Sequence, residues 1–207
     1  ALRASGAAAP FTPAGYTLLA DFVDMRVFGK YDNGSEAAPT VSFSASIANA
    51  TCSAVMACFR GASLQIASPR VITTSGSAQD IAFPLISLVR GATTLVLHVG
   101  WKQDDWTSVA TLSGATEISE TSSTLGDDQG LVWDYRINVP AQSDLSTHQV
   151  AAGSFVVTGG AAAITRGGAF ALYGTQAFTV TRASNGVAKA HTAGTEVHLA
   201  HPSIVSL

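Results

Sequence analysis

The chain has 207 residues, 47% hydrophobic and 12% charged, with 19 Gly, 7 Pro and a formal net charge of -3. That length can bury a core without disulfide or metal staples, and the composition favours apolar, turn-rich β structure over salt-bridged helices. The 11 Lys and Arg are scattered singly, so no basic field gathers nucleic acid or anionic lipid. No run nears the ~18 apolar residues of a spanning helix, and membrane insertion is not expected.

In chain order, the start ALRASGAAAP is too short and wrongly flanked for a signal peptide. It opens as if in mid-strand, which implies upstream sequence. Strands are predicted over 17–19 and 25–31, with a turn at Asp32-Asn33-Gly34. The clearest alternation is in residues 40–47, where Val41, Phe43, Ala45 and Ile47 are apolar and the intervening positions are Ser or Thr. Residues 53–59 are small or apolar on both faces, which predicts a central strand or one whose outer face meets another subunit. Cys52 directly precedes that run and Cys58 lies within it, roughly 20 Å apart if it is extended, so they cannot bridge within the strand. Free, buried thiols and a reducing cytoplasm are expected. Asn49-Ala50-Thr51 is a glycosylation sequon without secretory context, and is read as chance.

Further strands are predicted over 94–101, 131–137, 154–158, 169–173, 178–182 and 195–199. Ser75-Gly76-Ser77, Asp127-Asp128-Gln129-Gly130, Gly159-Gly160 and Asn185-Gly186 are predicted turns. Leu95, Leu97, Val99 and Trp101 share one face of their strand, as do Leu131, Trp133, Tyr135 and Ile137 of theirs, and both sets are expected in the core. No window of a dozen residues carries helical periodicity. The expectation is an all-β chain: an antiparallel β-sandwich, jelly-roll or Ig-like, over 1–173, with a C-terminal β-hairpin appendage over 174–207 turning at Asn185-Gly186.

The order of Pro13-Ala-Gly-Tyr-Thr-Leu-Leu19, Met25-Arg-Val-Phe-Gly-Lys-Tyr31, Pro39-Thr-Val-Ser-Phe43 and Ser53-Ala-Val-Met-Ala-Cys-Phe-Arg-Gly61 resembles a β-sandwich module of tailed-phage minor tail, fibre and decoration proteins. Thr94-Leu-Val-Leu-His-Val-Gly-Trp101 and the segment from Ala152-Gly153 to Gly168-Ala-Phe-Ala-Leu172 continue the likeness, which spans about residues 11–173. Tyr16 stands where that module would have Trp, keeping an aromatic anchor. The module has one or two additional early strands, which agrees with missing N-terminal sequence. The tail from Phe178 through Asn185-Gly186 to His191, with Gly194-Thr-Glu-Val197, is similar to a hairpin of phage and gene-transfer-agent tail and baseplate proteins. The resemblance implies a virion location after assembly in the host cytoplasm, other virion proteins as partners, and a homo-oligomer. It implies no reaction and no cofactor, and fold likeness alone is an associational argument for function.

No G-x-S-x-G, H-E-x-x-H, P-loop or C-x-x-C stands in the sequence, and no enzyme is expected. Paired carboxylates for glycoside cleavage could be drawn from Asp104, Asp105, Glu117, Glu120, Asp127, Asp128 and Asp134, although solvated turn residues are the better reading of all of them. The loop Lys102-Gln-Asp-Asp-Trp106 offers an alternative function, recognition of a host surface glycan by Asp104, Asp105 and Trp106. Against this, a large aromatic is more often buried, with Trp106 lidding the sandwich end. His191, His198 and His201 with Glu196 could ligate a metal on a symmetry axis, but are better read as exposed hairpin positions, and no metal is expected. Asp134 and Arg136 share a strand face and are expected to form an exposed pair of little energetic weight.

Overall fold

The computed structural model describes residues 2–4, 11–22, 25–32, 34–35, 37–42, 52–60, 62–66, 71–88, 94–124, 128–138, 148–150 and 152–174. The chain divides into two units, Ala1–Gln176 and Ala177–Leu207, and the second, with its expected hairpin, lies outside the described residues. So does the alternating stretch from 43 to 47.

Strand formation begins with β1 (Leu2–Ala4), β2 (Thr17–Phe22), β3 (Met25–Gly29), β4 (Cys52–Ala54) and β5 (Ala62–Ile66). Next come β6 (Val71–Ala78), β7 (Ile81–Phe83), β8 (Ile86–Leu88), β9 (Thr94–Lys102) and β10 (Ser108–Ala110). The rest are β11 (Thr116–Ser123), β12 (Gln129–Asn138), β13 (His148–Val150), β14 (Gly153–Thr158) and β15 (Ala163–Gly174). No helix occurs among the described residues, and every strand pairing is antiparallel. The fold is an all-β antiparallel sandwich.

Its centre is a six-stranded sheet in the order β11-β12-β9-β15-β5, with β6 also paired to β15. One face receives β2 and β3 of a four-stranded sheet, β2-β3-β1-β4, burying Leu19, Phe22, Met25 and Val27 against Leu97, Val99, Trp101, Leu131 and Phe170. The other face is covered by the three-stranded sheet β10-β14-β7, through Phe83, Val109, Phe155 and Val157 against Val132. Beside it, Ile86 and Leu88 of β8 pack on Val96, Ala169 and Ala171. Full burial of such side chains stabilises by about 1.5–3 kcal/mol each.

Covering both faces explains why all nine residues of β9 are buried. It also gives the inner strands their glycines: a Cβ on Gly100 would stand 2.7 Å from the Phe155 ring, so only glycine lets that ring lie on the sheet.

Several expectations need correction. Ile137 is 65% exposed, two residues beyond Tyr135, where the pairing of β12 with β11 ends, although Leu131, Trp133 and Tyr135 do join the core. The 53–59 strand is confined to Cys52–Ala54, at the end of its sheet rather than at the centre. Beyond it Met56 is 77% exposed, and Cys58 is a free but exposed thiol rather than a buried one. Ser75-Gly76-Ser77 is not a turn. It lies inside β6, opposite a register shift of β15 between Ala163 and Thr165, where an irregularity accommodates the glycine.

Candidate functional site

Strand alternation decides which polar groups enter the interior. With Leu95, Leu97, Val99 and Trp101 in the core shared with β2 and β3, Val96, His98, Gly100 and Lys102 point to the side covered by β7, β10 and β14. Asp134 of β12 stands opposite His98 in the ladder. His98 Nδ1 and Asp134 Oδ1 are 2.7 Å apart, with both side chains fully buried. A carboxylate only accepts, so Nδ1 donates. The second carboxylate oxygen accepts a long 3.4 Å bond from the Leu112 N–H. Phe83 lies against the imidazole with ring centroids 4.6 Å apart, and Phe155 meets Phe83 edge-on at 5.3 Å. His98 Nε2 is buried without a hydrogen-bond partner. A histidine oriented by a carboxylate is half of a nucleophile-activating system, but here both groups are sealed from solvent and tie two strands together. Asp134 is therefore not the exposed partner of Arg136 that the sequence suggested, because the second face of its strand is also interior.

At the end of β9 a corner forms from Lys102, the loop of residues 103–107, the Gly159-Gly160 turn and Asp128. The turn carries the chain from β14 in the covering sheet to β15 in the central one, and both glycines adopt positive φ, 83° and 70°. A Cβ on Gly160 would collide with the Asp105 carbonyl and stand 2.7 Å from Asp104 Oδ2. The corner is knitted by Gln103 N–H to the Ile164 carbonyl and Thr107 N–H to the Thr158 carbonyl, each 2.8 Å. Asp104, Asp105 and Asp128, all half-buried, bring one carboxylate oxygen each within 4.8 Å of one another. Among the described residues these are the side chains that could surround a cation. Lys102 already answers part of their charge: its ammonium is fully buried, 3.7 Å from Asp104 Oδ2, and without a hydrogen bond. Asp104 Oδ2 also accepts the Ala161 N–H.

Other carboxylates hold the covering sheet in the same manner. Val157 N–H donates to Asp80 Oδ1 at 3.0 Å, and Val109 N–H donates to Glu120 Oε2 at 3.0 Å. Gln79 Nε2 donates to the carbonyls of Val157 and Gly159 at 3.2 and 2.8 Å. Gln79 and Asp80 thus extend with side chains the ladder that β7 begins with backbone.

Of the residues expected to bind glycan, Asp104 and Asp105 do come together. Trp106 does not serve as a stacking platform: it is 5% exposed and packs with Phe155 and Val132, its ring lying directly over Gly130, where a Cβ would overlap it. Of the carboxylates considered for glycoside cleavage, Asp127 lies outside the described residues, while Glu117 is exposed on β11. Glu196, His191, His198 and His201 also lie outside them. Sequence reasoning placed Lys102 in a loop with Asp104. It is the last residue of β9, and the signal was its place in the even-numbered set with Val96 and His98.

A separate groove of about 330 Å³ is lined by Pro13, Tyr16, Lys30 and Pro39 among others, with the Lys30 ammonium 5.6 Å from the Tyr16 ring centroid. Comparison with family models, curated proteins and solved structures finds no match to this chain.

Proposed function

We propose that the chain is a non-catalytic structural module of a tailed-phage or phage-like virion surface, of minor tail, fibre or decoration type. In this reading it assembles with other virion proteins and with copies of itself. The virion setting comes from the sequence resemblance of residues 11–173. The observation that carries the structural role is the use made of the polar side chains: Asp80, Asp104, Glu120 and Asp134 all hold backbone N–H groups, and the acid–base pair His98–Asp134 is sealed. Groups able to converge on a substrate are spent on backbone N–H groups and on each other. Exposed Met56 and Ile137 supply apolar area for contact between molecules. Sedimentation of the full-length protein with and without purified particles tests this, with self-association or co-sedimentation expected. A monomer that never enters the particle overturns it.

A second reading, recognition of host surface glycan, is favoured by the groove at Tyr16. An aromatic ring with a lysine beside it suits the apolar face and hydroxyl or carboxylate groups of a sugar, and about 330 Å³ is within the range of small-ligand sites. Glycan-array binding lost in Tyr16→Ala is expected. Binding retained by both Tyr16→Ala and Lys30→Ala removes this groove.

A further inference from the structure

We infer that Lys102 and Asp104 are poised to join in an intramolecular amide bond. The inference rests on the geometry of the corner and not on the virion reading. Four observations point to it. The Lys102 side chain is 0% exposed, although lysine is almost never fully buried unless paired. Its ammonium makes no hydrogen bond, and it faces Asp104 Oδ2 at 3.7 Å. Two further carboxylates, Asp105 and Asp128, lie within 4.8 Å of the Asp104 carboxylate. Finally, the Ala161 N–H is directed at Asp104 Oδ2, and glycine at 160 keeps the space between ammonium and carboxylate clear, since a Cβ there would be 3.2 Å from Lys102 Nζ.

Each group has a defined part. A proton passes from the Lys102 ammonium to the Asp104 carboxylate it faces, onto Oδ1, leaving a free amine and a carboxyl group. The freed amine lone pair attacks Asp104 Cγ, forming the C–N bond and moving an electron pair onto Oδ2. The Ala161 N–H stabilises that oxyanion, as donors aimed at developing charge do. The intermediate collapses as its hydroxyl takes a second proton from the nitrogen and departs as water, breaking the C–O bond. An ammonium and a carboxylate thus become one neutral amide and one water, with no oxidant, reductant or co-reactant. Holding amine and carboxyl in place supplies an effective concentration reaching about 10⁵ M or more in well-oriented cases, and burial of Lys102 keeps bulk water from reversing the step. The product is a ring through Gln103 that locks the end of β9.

Mass spectrometry of the purified full-length protein tests this without any variant. An intact mass lower than the sequence mass by one water is expected, together with a single tryptic fragment spanning residues 91–136. Trypsin cannot cleave after an acylated lysine, so the expected cut between Lys102 and Gln103 disappears. Fragmentation should place the bond between Lys102 and Asp104. Lys102→Arg and Asp104→Ala should each restore the full mass. A full sequence mass with normal cleavage at Lys102 overturns the proposal, as does a bond to Asp105 or Asp128 in place of Asp104. Full mass together with a melting temperature raised by added calcium also overturns it, in favour of a cation held by the three carboxylates.

Discussion

His98 and Asp134 face each other across the β9–β12 ladder, and their side chains meet at 2.7 Å in the middle of the sandwich, where neither has any exposed surface. Breaking a buried pair from one side leaves the other partner desolvated and unanswered, at a cost of about 3–5 kcal/mol. Asp134→Ala and His98→Ala are each expected to lose roughly that much stability in urea unfolding. The double replacement by leucine should recover a large part of the loss. Single variants within a few tenths of a kcal/mol of the parent would show that the pair carries no such weight.

Trp106 and Gly130 form a second linked pair, ring over glycine. Trp106→Ala should cost about 3–5 kcal/mol as a cavity opens beneath the covering sheet. Gly130→Ala should cost a comparable amount for the opposite reason, because the new methyl would occupy the space of the ring. Equilibrium denaturation measures both. Neither substitution should leave a stable protein altered only in ligand binding, the outcome expected had the ring been exposed.

Glycines of positive φ should differ among themselves. Gly114 has φ 79° and open space around it, whereas Gly160 has φ 70° and a carbonyl in the path of any side chain. Gly114→Ala is expected to cost only about 1–2 kcal/mol of backbone strain. Gly160→Ala should cost clearly more and alter the corner around Asp104. Equal thermal shifts for the two variants would contradict this ranking.

Exposure separates Ile137 from its neighbours on β12. Ile137→Ser should change stability by no more than about 0.5 kcal/mol, while Leu131→Ala, fully buried, should cost about 2–5 kcal/mol. If the module self-associates as proposed, Ile137→Glu should weaken the oligomer in sedimentation without lowering the melting temperature of the monomer.

The sequence showed well those elements whose alternation has one polar face or whose apolar run is long, as at β2, β3, β9, β12 and β14. It concealed what happens when a sheet is covered twice. In β9 the even positions hold a histidine, a glycine and a lysine, which resembles a solvent face, yet that face is buried. For the same reason Asp134 looked like a surface residue. Short strands such as β7 and β10, three residues each, are too brief to show a period. They are completed by Asp80, Gln79 and Glu120, whose hydrogen bonds do not register as strand propensity. At the candidate site the proximity of Asp104 and Asp105 was legible from adjacency. The approach of Asp128 depends on long-range pairing of β12 with β9, which no local pattern records.

Strand β15 bonds to β9 along one side and to β5 and β6 along the other. A ribosome making this chain therefore releases β5, β6 and β9 well before the strand that lies between them exists. Until residues 163–174 emerge, those earlier segments have unpaired edges, and closure of the sheet waits on contacts distant in sequence, which makes assembly slow and open to wrong partners. Synthesis stalled before β15 should leave a nascent chain dependent on chaperones, whereas stalling after its release should allow the sheet to close.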